Sequence, residues 1–293
     1  MTRYGVKNKL NRDGTIYGDM LIYAFLGLLA IISLYPFFYV LFMSVMPYDR
    51  FIAKPLHLLP SGFTIQYFQQ VLLDPNIPRA YMMSIVRTAV GTALSTVATM
   101  LAGYGLSRRN LKFGPFLSAL FLIPMYFGVG IIPYYLTLNM YGIVNTFWVL
   151  VLPGMVSAMW FFVTKAAMSS YPTEIIEACV IDGAGQWKIF WRIVWPTSLP
   201  SVATLALMYG MGHWNEYFMT RILVKSDMWT APVYLFGLVN TKITLQGLGV
   251  GVRLEPQSYI SAVAASLIIP ILLVYPFMQR YVISGLTAGA VKG

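Results

Sequence analysis

The sequence predicts an all-α membrane protein with six transmembrane helices, and three observations carry that prediction. Only 10% of the 293 residues are charged and the mean hydropathy is +0.69. Soluble domains carry about 25% charged residues. So few charges cannot cover a globular surface, and the bilayer must form part of the solvent. Residues 113–164, a run of 52, contain no charged side chain. That is more than twice the ~20 apolar residues that one helix needs to cross a hydrocarbon core. Residues 20–46 form a further uncharged run of 27.

Taken in order, residues 1–19 are polar and basic (Arg3, Lys7, Lys9, Arg12) and are expected in the cytoplasm. Span 1 covers residues 20–46, roughly 40 Å at a helical rise of about 1.5 Å per residue. It is longer than the h-region of a secretory signal and is read as a retained span, with Pro36 as a kink site. Residues 47–84 carry five prolines and scattered charges, which suits an external loop with one short helix near 65–72. Span 2 is expected over 85–106, with Arg87 near its end and a series of small residues, among them Gly91, Ala98, Ala102 and Gly103, that lets neighbouring helices approach. Arg108, Arg109 and Lys112 then return the chain to water. The uncharged run divides into span 3 at 115–135 and span 4 at 144–164, with Asn139, Gly142 and Asn145 as turn formers. Span 5 runs over 200–218, residues 221–257 form a second mixed loop, and span 6 covers 258–278. The domain division is 1–84 (N-terminus, first helix, external loop), 85–285 (transmembrane core) and 286–293 (tail).

Between spans 4 and 5 lies the stretch around which the chain is organised, residues 171–200, YPTEIIEACVIDGAGQWKIFWRIVWPTSLP. Directly after the uncharged run it brings Glu174, Glu177, Asp182, Lys188 and Arg192. Pro172 suits a helix start with Glu174 in the first turn. Ile175, Ile176, Cys179 and Val180 fall on one face, Asp182-Gly183 is a turn signal, and residues 186–194 resume a helix until Pro196. The expectation is a helix–turn–helix on the membrane surface, apolar on one side and charged on the other. Six spans put both termini on one side. Twelve Lys and Arg fall on that side and eight on the other, so both termini are expected in the cytoplasm.

The composition also excludes. Cys179 is the only cysteine, and His57 and His213 are the only histidines. This leaves no disulfide framework and no metal-ligand spacing, so no metal site is expected. The net charge of +10 comes without a basic-aromatic patch or nucleic-acid motif, and nucleic acid is not an expected partner. The sequence has no GxxxxGK[ST], HExxH or GxSxG, so the chain is not expected to be an enzyme. An ion-coupled secondary transporter would want ionisable groups buried mid-span, and Arg87 and Glu216 are both read as lying near span ends.

The charged stretch resembles the EAA loop of ABC-importer permeases. That pattern is Glu-Ala-Ala, three residues, Gly, nine residues, Ile, one residue, Leu-Pro. Here Glu177-Ala178-Cys179 is followed at the same spacings by Gly183, Ile193 and Trp195-Pro196, with Cys179 and Trp195 as apolar departures. Residues 102–108 (AGYGLSR), 141–146 (YGIVNT) and the tail GLTAGAVKG are similar to the carbohydrate branch, the tail most of all to the maltose-permease G-type subunit. The resemblance implies a type I importer permease fold with a cytoplasmic coupling helix between helices 4 and 5. It implies a multi-pass protein of a bacterial inner membrane, paired with a second homologous permease. Further implied partners are two copies of a cytoplasmic ATPase that binds the ATP and Mg, and an external solute-binding protein that delivers an oligosaccharide. Alginate or another acidic oligosaccharide is the implied substrate, and a neutral, maltodextrin-like sugar is the alternative. The residues implied in ATPase coupling are Glu177, Ala178, Cys179, Asp182, Gly183, Ala184 and Phe190, with Gly289 and Lys292 as tail contacts. Tyr126, Asn145, Trp214 and Asn215 are the candidates for the sugar path.

Overall fold

The computed structural model describes residues 12–53, 60–108, 111–247 and 257–290. It falls into two compact units, one formed by 1–71 with 255–265 and the other by 72–254 with 266–293. Among the described residues the regular structure is helical: α1 (Arg12–Val45), α2 (Tyr48–Ile52), α3 (Gln66–Leu73), α4 (Asn76–Leu106), α5 (Gly114–Tyr126), α6 (Ile131–Met140), α7 (Ala158–Ser169), α8 (Thr173–Ile181), α9 (Gln186–Ile189), α10 (Trp195–Thr197), α11 (Leu199–Asn215), α12 (Phe218–Leu223), α13 (Ala231–Gly247) and α14 (Gln257–Ala290), with short 3₁₀ turns at Phe147–Leu150 and Ser226–Met228.

In the first unit, α1 exposes every residue from Gly18 to Phe38. This is the surface of a helix whose side chains are solvated by lipid rather than water. Its end is tied to the following segment: Thr64 N–H donates to the Val45 carbonyl at 2.7 Å, and Tyr48 N–H to the Tyr67 hydroxyl at 3.1 Å.

The second unit is built on α4. The helix begins at Asn76, nine residues before the expected start of span 2. The prolines that suggested a loop, Pro75 and Pro78, lie at the N-cap and in the first turn, where a missing N–H removes no intrahelical bond. Small residues on α4 set the approach of its neighbours. A Cβ on Gly91 would lie 2.7 Å from the His213 ring of α11, and one on Gly103 would lie 2.7 Å from Thr164 Cγ2 of α7. Close contact at small residues is the usual source of helix association where lipid removes the hydrophobic driving force. Polar links reinforce the contacts. Thr99 Oγ1 and the Tyr209 hydroxyl are 2.7 Å apart, the same hydroxyl accepts from Ser157 N–H at 2.9 Å, and Lys165 Nζ of α7 donates to Ser118 Oγ of α5 at 2.6 Å.

Three helical stretches among the described residues are long and apolar enough to cross a membrane: Gly18–Val45, Asn76–Leu106 and Gln257–Val274. The stretches read as spans 3, 4 and 5 are not long single helices. Span 3 is split into α5 and α6 by extended backbone at Phe127 and by Gly130 at φ 76°. The first half of span 4 is turns and one 3₁₀ segment, and helix resumes only at Ala158; Pro153-Gly154 sits in the irregular part. Span 5 is the 17-residue α11, which stops at Asn215 where Glu216 turns extended. Residues 221–257, read as a loop, instead contain the 17-residue α13. Its first N–H donates to Ser84 Oγ of α4 at 2.9 Å. The tail continues the last helix, α14 running to Ala290.

Candidate functional site

The charged stretch folds as two helical pieces around a sharp turn. Helix α8 ends in a Schellman motif. Ala184 N–H donates to the Cys179 carbonyl at 2.9 Å and Gly183 N–H to the Val180 carbonyl at 3.0 Å. This places Gly183 at the left-handed C′ position, φ 76°, which a residue with a Cβ rarely adopts. After the turn, α9 passes into a π-helical segment, Phe190–Val194, then α10 and α11. The widened turn directly precedes Pro196, whose missing N–H interrupts the α ladder. Pro196 therefore does not end the helix as expected; the chain bends and continues to Thr197.

One side of this segment is core. Ile176, Ile189, Phe190 and Val194 are buried with Met100 and Tyr104 of α4, Met168 of α7, and Val202 and Leu205 of α11, and Cys179 and Ala184 pack at the edge of the same cluster. The Phe190 and Tyr104 rings lie 5.4 Å apart. The seven candidate coupling residues thus divide: Cys179, Ala184 and Phe190 face inward, while Glu177, Ala178, Asp182 and Gly183 are exposed. The apolar face read from the sequence divides as well. Ile176 and Cys179 turn to the core, but Ile175 and Val180 are exposed, beside Ile181 at 86% and Trp187 at 67% exposure. Large apolar side chains that project from a charged turn mark a surface that another protein or the membrane covers.

The opposite end of α4–α11 holds a feature that the sequence reading misplaced. Arg87 is not near a helix end; it lies 11 residues inside α4 and is 5% exposed. Its Nη2 is 3.0 Å from Glu216 Oε2. Its Nη1 donates to Thr220 Oγ1 at 2.7 Å and to the Glu216 carbonyl at 3.2 Å, and its Nε to the Leu150 carbonyl at 3.3 Å. Glu216 in turn accepts from Met219 N–H at 2.6 Å and Thr220 N–H at 3.2 Å. Arg87 therefore caps the end of α11 while Glu216 caps the start of α12. The chain break between those helices has its polar groups met by protein, as irregular backbone in a membrane requires. The one signal in the sequence was a single Arg and a single Glu in otherwise uncharged stretches, and it needed the true start of α4 to be read.

A cavity of about 300 Å³ opens beside this pair, lined among others by Tyr134, Ser157, Trp160 and His213. None of the four sugar-path candidates lines it. Tyr126 is 78% exposed. Asn145, at φ 59°, accepts from Lys225 N–H at 3.0 Å and fastens one loop to another. Asn215 donates to the Met211 carbonyl of its own helix. Trp214 lies by a separate apolar cavity with Ile85 and Pro270. Of the tail pair, Gly289 falls within α14 and Lys292 lies outside the described residues.

The family model for the binding-protein-dependent transport system inner membrane component matches residues 16–287. The chain belongs to that family. Among its relatives, the polygalacturonan/rhamnogalacturonan transport system permease protein YtcP of Bacillus subtilis is 34% identical over 94% of this chain and 98% of its own length. Protein LplC of the same organism is 31% identical over 92% of each. A crystal structure of a bacterial ABC transporter involved in the import of the acidic polysaccharide alginate superposes on 93% of this chain and 98% of the matched chain. Its TM-score is 0.83 at 23% identity, which shows a shared fold. The long exposed apolar helices and the scarcity of charge agree with a membrane-spanning member of that family.

Proposed function

We propose that this chain is the permease subunit of an ATP-binding-cassette importer, forming with a second permease the path for an oligosaccharide that a solute-binding protein delivers. Residues 173–197 are its handle for the cytoplasmic ATPase. The observation that carries this reading is the division of that segment. Its inner side is sealed into α4, α7 and α11, while Ile181 and Trp187 stand in the open beside Glu177 and Asp182. A partner that grips the outer side moves three helices at once. ATP and Mg sit in the ATPase; this chain is non-catalytic, both termini are cytoplasmic, and Gly289 and Lys292 of the tail reach the ATPase.

The substrate is an acidic oligosaccharide. Support comes from the relative named for polygalacturonan and rhamnogalacturonan and the fold neighbour named for alginate. A neutral, maltodextrin-like substrate is the second reading, favoured by the Arg87–Glu216 pair, in which the arginine by the cavity already has its carboxylate partner. Reconstitution with the second permease, ATPase and binding protein decides between them. ATP hydrolysis is expected to rise with binding protein loaded with galacturonides and to stay at its resting rate with neutral glucans. A response to glucans alone reverses the substrate assignment, and no response to any loaded binding protein removes the importer reading.

A further inference from the structure

We infer that the cavity between α4, α6, α7 and α11 is a saccharide subsite of this subunit, one that takes a single pyranose ring by its hydroxyls and apolar face and not by a carboxylate; this rests on the importer reading above. The lining has the two kinds of group that hold a sugar ring. Tyr134 and Trp160 offer aromatic surface to the C–H face of a pyranose. Ser157 and Glu216 offer hydroxyl and carboxylate to its hydroxyls, while His213, whose Nε2 lies 3.3 Å from Ser95 Oγ, forms part of the wall. An apolar pocket with a few converging polar groups is the usual form of a small-molecule site.

The charges decide what part of the sugar fits. Arg87 already directs its nitrogens to Glu216, Thr220 and Leu150 and is 6% exposed in its side chain, whereas Glu216 is 27% exposed. The charge available to a ligand is thus the carboxylate, an acceptor for neighbouring hydroxyls that repels a second carboxylate. Arg87 acts as a positioning residue that holds Glu216 and the α11–α12 break in place. An acidic oligosaccharide is accommodated with its carboxylate turned toward the mouth.

The test uses the assembled transporter in nanodiscs with Ser157→Cys, labelled by a small thiol reagent and corrected for the labelling of Cys179 in the unsubstituted complex. Maltotriose and a galacturonan trisaccharide are each expected to slow labelling at least fivefold. In the same background Trp160→Ala raises the half-protecting concentration by about tenfold, the order expected for loss of one aromatic contact, and Trp160→Phe restores most of it. Glu216→Gln weakens protection by both sugars. Protection by the galacturonide that strengthens in Glu216→Gln shows a carboxylate bound to Arg87 and overturns the inference. So does the absence of protection by either sugar in a complex whose ATP hydrolysis responds to loaded binding protein, a result that leaves the importer reading standing. A complex with no such response sinks the importer reading, and this inference with it.

Discussion

Replacing Arg87 by Met tests whether the buried ion pair holds the α11–α12 break. The substitution keeps much of the volume and removes the charge. Glu216 is left without its cation, and the Leu150 and Glu216 carbonyls and Thr220 Oγ1 each lose a donor. Removal of one partner of a buried pair costs about 3–5 kcal/mol, because the other charge remains uncompensated. At roughly 2–4 °C per kcal/mol for a chain of this size, the apparent unfolding midpoint falls by roughly 6–20 °C. The assay is loss of the monodisperse peak of the detergent-solubilised complex on heating. A second substitution supplies the control. Glu216→Gln on top of Arg87→Met removes the stranded charge and keeps an amide oxygen for the Met219 N–H, so the double variant is expected to recover about 1–2 kcal/mol relative to Arg87→Met. A single variant within about 1 kcal/mol of the parent, or a double variant less stable than Arg87→Met, refutes the tie.

The remaining predictions concern close packing, the turn and the tail. Gly103→Ala places a Cβ 2.7 Å from Thr164 Cγ2 and 3.2 Å from the Lys165 backbone nitrogen; overpacking of this kind costs about 1–3 kcal/mol. Gly105→Ala, which meets nothing within 4 Å, is expected to leave the same thermal midpoint unchanged. Gly183→Val forces a β-branched residue to φ 76°, a local strain of about 1–3 kcal/mol. The protein should still insert while the rate of saccharide uptake falls at least tenfold; uptake at the parent rate removes the turn from the coupling mechanism. Deletion of residues 285–293 should weaken recovery of the ATPase with the permease pair, and unaltered recovery removes the tail contact.

The local structure of the charged stretch was legible because its signals are local. Glu174 in a first turn, Asp182-Gly183 as a stop and the apolar period at 186–194 each act within one or two turns of helix, and the structure places α8, the Gly183 turn and α9 where they indicate. Which face turns inward was not legible, because Ile175 and Ile176 are equally apolar and only the packing of Met100 and Val202 distinguishes them. Hydropathy found the stretches that avoid water but not their continuity. It cannot separate a 20-residue helix from α5 and α6 joined at Gly130, since Phe127, Gly128, Val129 and Gly130 carry no polar side chain to mark the break. Helix α13 lies in a stretch that reads as a loop because Lys225, Asp227, Lys242, Arg253 and Glu255 scatter charge through it. Arg87 was misjudged for the same reason that α4 was read short, by taking Pro75 and Pro78 as loop residues when they stand at its start.

Residues 173–197 are proposed as the segment that the ATPase holds. The direct measurement is photo-crosslinking from position 181, where Ile181 is 86% exposed. A photoreactive amino acid there, in the complex assembled with second permease, ATPase and binding protein, is expected to yield an adduct with the ATPase, and the same group at the buried position 189 is expected to yield none. An adduct with the binding protein in place of the ATPase would put this segment on the opposite side of the membrane and rule out an ATPase contact.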